Sequence, residues 1–187
     1  MSDPLKHLQR SSTPAKVLSE PAPDDAQLRR ILEIAMNAPD HGRLRPYRFI
    51  AIRGDARYRL SDIFVQATRR REPDVDAAYL AKQREKPLRS PLILVVVAKL
   101  IESEKIPEIE QMLSAGAAAH GLLLAANALG FGSIWLTGAN AYDPYVRNEL
   151  GLAENERIIG FVYLGTPELE IPPRALPEIA EYLSDWE

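Results

Sequence analysis

Apolar residues in this chain fall into two kinds of stretch: some recur every three or four positions, others run together without a break. Leu28, Ile31, Leu32 and Ala35 follow the first pattern behind Asp24, a residue suited to an N-cap, and predict a helix through Met36 that Pro39 ends. Residues 47–53 read as a strand centred on Phe49 and Ile50. Gly54-Asp55 then turns into a helix carrying Leu60, Ile63, Phe64 and Ala67. Residues 69–90 are charged and broken by Pro73 and Pro87, which predicts a solvent-facing helical excursion around 77–84. The uninterrupted run Pro-Leu-Ile-Leu-Val-Val-Val-Ala at 91–98 predicts a strand covered on both faces. Pro107 opens a long Ala-rich helix lasting to Leu129. Beyond it come a short strand at 132–137, a short helix at 144–150 and an apolar strand at 157–164. Residues 5–9 predict a short opening helix, 11–14 a hydroxyl-rich turn and 20–23 a stiff Glu-Pro-Ala-Pro connector. The tail, stiffened by Pro167, Pro172, Pro173 and Pro177, ends in a predicted helical turn near 179–186. Helices and strands interleave, so the expectation is an α/β or α+β layer protein with a central sheet, one domain over 1–187, without internal repeats.

Composition narrows the chemistry. The 187 residues are 46% apolar, with 23 basic against 26 acidic side chains, net −3. That balance argues against broad attraction to nucleic acid or anionic lipid and leaves room for a local basic pocket. The absence of cysteine excludes disulfides, thiolate nucleophiles, iron–sulfur clusters and thiolate zinc sites. The histidines are His7, His41 and His120, and none stands at ligand spacing from another. Residues 111–142 carry no Asp, Glu, Lys or Arg, but Ser114, His120, Asn127 and Gly130-Phe131-Gly132 interrupt them. A buried helix followed by a buried strand is therefore expected instead of a membrane span. The polar N-terminus lacks an apolar leader, and a cytoplasmic location is expected.

Four places carry candidate chemistry. Arg10-Ser11-Ser12-Thr13 offers a guanidinium, hydroxyls and backbone amides, which suit either a phosphate grip or a plain polar turn. His41, Arg43 and Arg45 form either a solvated basic turn or a holder for a phosphate or ring carbonyl. Residues 130–138, Gly-Phe-Gly-Ser-Ile-Trp-Leu-Thr-Gly, form either a core strand or a flat edge beside a ring cofactor. Those glycines follow a helix, which disfavours a Rossmann site or a P-loop. Glu110 suits the N-terminal dipole of the Ala-rich helix, with a role near a ligand left open. The small residues Ala115, Gly116, Ala118, Ala119 and Gly121 suit packing on the sheet or on the same helix of a second subunit. Neither a supported Ser/His/Asp trio nor a glycosidase-like carboxylate pair is found.

The order of these pieces resembles the nitroreductase family of FMN-dependent oxidoreductases, most closely its small YdjA-like branch. Four pieces carry the resemblance, from about Arg10 to Pro167. They are Arg10-Ser11-Ser12 with Pro14-Ala15-Lys16 and Glu20-Pro21-Ala22-Pro23; Ala38-Pro39-Asp40-His41 with Arg45-Pro46-Tyr47; Ser114-Ala115-Gly116-Ala117 after Glu110-Gln111; and Gly130-Phe131-Gly132 to Trp135 with residues 160–167. The resemblance implies an α+β fold with a central mixed, mainly antiparallel sheet flanked by helices, built as an intertwined homodimer with FMN at the subunit interface. It implies FMN contacts from Arg10, Ser11 and Ser12, from Trp135, Leu136 and Thr137, and, across the interface, from Asn37 and His41. It places NAD(P)H at Ala125, Ala126, Asn127, Ala128, Leu129 and Gly130. The implied activity is ping-pong hydride transfer from NAD(P)H to nitroaromatic, quinone or similar acceptors, with no acid–base residue required; the rival expectation is a flavin-sequestering protein without turnover. Ser11 and Leu136 stand where the family carries arginines, and Tyr47 where it carries tryptophan. Arg43 or Lys16 is expected to restore the missing charge.

Overall fold

The computed structural model describes residues 8, 12–172 and 175–186. Its strands are β1 (Leu18–Ser19), β2 (Tyr47–Arg53), β3 (Leu92–Lys99), β4 (Gly132–Leu136) and β5 (Glu156–Pro167). Its α-helices are α1 (Asp25–Ala35), α2 (Ala56–Arg71), α3 (Ala77–Glu85), α4 (Glu108–Ala128), α5 (Ala139–Tyr142) and α6 (Pro144–Glu149). The opening helix expected at 5–9 lies largely outside the described residues. The short β1 and α5 carry no readable pattern because two and four residues are too few to show a period.

Local chemistry explains the well-read elements. Asp24 caps α1 in a full capping box: its carboxylate accepts from the Gln27 amide while the Gln27 side chain accepts from the Asp24 amide. Asp76 caps α3 by accepting from the Tyr79 amide, and Asp143 caps α6 by accepting from the Tyr145 and Val146 amides, neither with a reciprocal side-chain bond. The expected solvent-facing excursion does form α3, yet its Gln83 is buried.

The sheet runs β1-β5-β3-β2, with β4 also pairing β5. Where a mixed, mainly antiparallel sheet was expected, all four described pairings are antiparallel. β3 is the central strand, with every residue from Leu92 to Ala98 fully buried. A continuous apolar strand thus reports cover on both faces, here in an antiparallel sheet. Ile93, Val95 and Val97 join Leu60, Phe64 and Ala67 of α2 and Val146 of α6 on one side. Leu92, Leu94 and Val96 join Leu28, Ile31 and Ala35 of α1 and Leu122 and Ala126 of α4 on the other. The small-residue stripe of α4 is used within the chain: Ala115, Ala118 and Ala119 are buried, and a Cβ on Gly121 would lie 3.4 Å from the Ala35 backbone. Among the described residues no helix is long and apolar enough to cross a membrane.

Candidate functional site

β4 hangs on the outer edge of β5 and sends successive side chains to opposite layers. Trp135 packs with the α1–α4 side, whereas Ile134 and Leu136 pack with the α2 side. The Trp135 indole is held firmly. Its Nε1–H donates to the Ile159 carbonyl at 3.2 Å, and its ring edge lies 3.7 Å from where a Cβ on Gly116 of α4 would sit. That carbonyl is available because the β3–β5 register slips there: Val96 faces Gly160 and Val97 faces Ile158, so Ile159 is an extra residue in β5. Gly160 leaves the space the indole fills.

On the α2 side, two spaces meet at Leu136 and Arg89. One is an open cleft of about 800 Å³ between the N-terminal segment (Pro14, Lys16, Leu18) and the β4 side chains Ile134 and Leu136. Glu85 and Leu88 also border it. The other is a cavity of about 290 Å³ running beneath Leu136 and Thr137 toward Phe64 and Phe161. Arg71, Lys86, Arg89, Gln83 and Asn140 line it, and among the described residues no carboxylate does. Arg71 is anchored by an ion pair with buried Asp143 and by a 2.9 Å bond to Asn140, but its Nε–H has no partner among the described residues. Lys86 donates to Gln83 Oε1 at 2.7 Å. Burial, then Arg89 and Arg71, pull the Lys86 pKa below the usual lysine value. Tyr163, deep in the same wall, is driven well above the ordinary phenol value by burial.

Asn37 and His41 stand elsewhere, at the end of α1. The Asn37 amide donates to the Glu33 carbonyl of its own helix at 2.9 Å. His41 Nδ1 meets Glu110 Oε2 at 2.7 Å, so the carboxylate at the start of α4 orients the imidazole as well as facing the helix dipole. The loop between α1 and β2 is bent sharply: Gly42, Arg43 and Arg45 all have positive φ, 68°, 57° and 48°. Two arginines in the left-handed region mark stored strain, held by the Arg45 amide on Asp40 Oδ2 at 2.6 Å. Tyr47 closes the loop by donating to the Met36 carbonyl.

Arg10 and Ser11 lie outside the described residues, and Ser12 is exposed. Lys16, Leu136 and the exposed Thr137 come together around the two spaces, and Arg43 does not line them. Trp135 turns its side chain away from Leu136, so these two side chains do not face one ligand within a layer. Along the Ala125–Gly130 segment, Ala125 and Ala126 are buried, Asn127 and Leu129 are half-buried, and Ala128 and Gly130 are exposed. Sequence reasoning missed Arg71, Lys86 and Arg89, whose charge made 69–90 read as solvated. The available signal was the set of capping and apolar residues among those charges.

Comparison with known proteins agrees with this architecture. The Nitroreductase family model matches residues 8–166. The Escherichia coli (strain K12) protein named "Putative NAD(P)H nitroreductase YdjA" is 44% identical over 156 residues, 83% of this chain and 84% of its own. A nitroreductase-like protein of Bacillus cereus superposes with a TM-score of 0.83 at 21% identity, covering 100% of this chain and 98% of its own. A Desulfovibrio desulfuricans protein solved in complex with FMN superposes at 0.72 and 24% identity, covering 100% and 99%. Matched along most of its sequence and across its whole fold, the chain belongs to the nitroreductase family.

Proposed function

We propose that this protein is an FMN-dependent NAD(P)H oxidoreductase that reduces nitroaromatic, quinone or similar acceptors by ping-pong hydride transfer. The observation that carries the reading is the cleft between residues 14–18 and β4, which opens into a cavity lined by cations. Its volume of about 800 Å³ lies within the ~300–1,000 Å³ typical of small-molecule pockets. Its apolar floor of Ile134 and Leu136 suits a flat ring, and Lys16 and Arg89 suit an electron-rich edge or a phosphate. Bound FMN supplies the hydride relay between donor and acceptor. The chain's own task is to hold and expose the ring. Trp135, bonded to Ile159 and backed by Gly160, stiffens β4 so that its backbone offers fixed donors and acceptors. The segment Arg10, Ser11 and Ser12 precedes the cleft in sequence and serves the phosphate end.

The reading includes a homodimer. Within one chain, Lys16, Leu136 and Thr137 lie on the α2 side of the sheet, while Asn37, His41 and Trp135 lie with α1 and α4. A second copy is what brings Asn37 and His41 to the first copy's flavin. Exposed Ile109, Met112 and Leu113 on α4, Ile34 on α1 and Met36 just past its end offer an apolar face for it. One specific observation favours a rival: Leu136 leaves a motif position without its arginine, which fits a flavin-holding protein without turnover.

The test is anaerobic. Purified protein is expected to be yellow, and its flavin absorbance to bleach with NADH or NADPH and return on adding a quinone or nitroaromatic. A yellow protein that stays oxidised favours the rival, and a protein unable to take up FMN overturns both. A monomer with full FMN affinity refutes the dimer.

A further inference from the structure

One turn of α4 fixes both the ring of His41 and the backbone beneath it. The ring is held by Glu110, whose Oε2 lies 2.7 Å from Nδ1 although the two residues are 69 positions apart. The backbone is held through Gln111, the next residue. Gln111 bonds Ile101 and Ile106, and a Cβ on Gly42 would lie 2.8 Å from Ile106 Cδ1, so residues 101–106 back the bend that carries His41. Asp40, the acid next to His41 in sequence, turns its Oδ2 to the Arg45 amide. A carboxylate only accepts, so Nδ1 keeps its hydrogen in either charge state of the imidazole, and Nε2 is the nitrogen that gains and releases a proton. More than half of the His41 side chain is exposed within one chain. Met36, Ile109 and Leu113 are exposed at the same helix ends, so the ring stands on the face that a second copy covers.

A hydride relay needs no acid, but its acceptor does: a quinone that takes a hydride becomes a hydroquinone oxyanion and must still gain one proton. We propose that His41 of one copy supplies that proton from Nε2 to the acceptor held at the other copy's flavin, and that Glu110 is the positioning residue that keeps Nε2 the transferable site. The Nε2–H bond breaks, an O–H bond forms on the acceptor, and water returns a proton to the ring. NAD(P)H is the reductant and the quinone the oxidant. The proposal rests on the flavin and homodimer readings above.

Two measurements on the full-length protein test it. Long-range 1H–15N NMR reads the neutral imidazole of His41, identified by its absence from His41→Gln. The proton is expected on Nδ1, and Glu110→Leu is expected to shift it toward Nε2. The second measurement is the ratio of benzoquinone to ferricyanide reduction by the FMN-loaded protein with NADH. Ferricyanide takes electrons without a proton, so losses of fold or flavin cancel in the ratio. The ratio is expected to fall about a hundredfold in His41→Gln, the scale of general-acid catalysis, and about tenfold in Glu110→Leu, the scale of losing an orienting partner. A proton on Nε2 in the unaltered protein, or a ratio within about twofold of the unaltered one in either variant while the unaltered protein reduces quinone, overturns this inference alone. Unaltered protein that takes up no FMN, or stays yellow with NADH and NADPH, overturns the functional reading as well.

Discussion

Replacing Gly160 by alanine tests whether the edge strand is pinned as described. A Cβ there would overlap Nε1 and Cδ1 of the Trp135 indole and come within 2.9 Å of the Leu136 carbonyl oxygen. The carbonyl is backbone in β4 and has little room to move, so the indole must leave. Overpacking a close-packed site costs about 1–3 kcal/mol. Losing the Nε1–H bond to Ile159 adds about 1 kcal/mol, for a total of about 2–4 kcal/mol. A protein of this length shifts by about 2–4 °C for each kcal/mol, so the melting temperature should drop visibly. The assay is urea unfolding followed by tryptophan emission. Trp186 is fully exposed, so a Trp186→Phe background isolates the signal of Trp135. The expected result is a lower midpoint with an unchanged slope and a red-shifted native emission. A change below about 0.5 kcal/mol with unshifted emission would refute the claim that the indole occupies the space above Gly160.

Two further outcomes follow from buried polar groups. Glu156 takes two bonds from Arg48, at 2.6 and 2.8 Å, and one from the Ala153 amide at 3.0 Å. The Arg48 bond chiefly lowers its pKa from 4.5 to about 2. A depressed acid stabilises the fold above its unfolded pKa and loses that contribution as pH falls through the folded value, here from about 4.5 down to about 2. At 1.36 kcal/mol per unit, discounted because Arg48 is 38% exposed, this is about 2 kcal/mol, and acid unfolding of Glu156→Gln should show a correspondingly flatter limb. The fully buried Gln111 accepts from the Ile101 amide and donates to the Ile101 and Ile106 carbonyls, tying residues 101–106 to α4. Gln111→Leu leaves these partners unpaired and should cost about 2–3 kcal/mol, with faster hydrogen exchange confined to that loop; uniform exchange through the sheet would contradict the local role.

The elements that were legible from sequence are those whose stabilising chemistry is local. The α1 helix shows its cap and its apolar spacing within a dozen residues, β2 begins and ends where its pattern does, and β3 announces cover on both faces through an unbroken apolar run. Motif order alone led to the family. What tertiary structure decided is everything that depends on two distant segments meeting. β5 binds β3, β4 and β1 at once, and its extra residue Ile159 has meaning only opposite the Val96–Val97 step. Gly160 looked like an ordinary strand glycine until the Trp135 indole was placed over it. Gln111 looked like the polar start of a helix, yet it holds a loop ten residues back. Lys86 and Arg89 sit in a charged stretch whose local pattern predicts solvent. Only packing of α2 and α3 against the sheet brings both to the wall of the space beneath Leu136, with Lys86 half-buried on Gln83 and Arg89 still exposed.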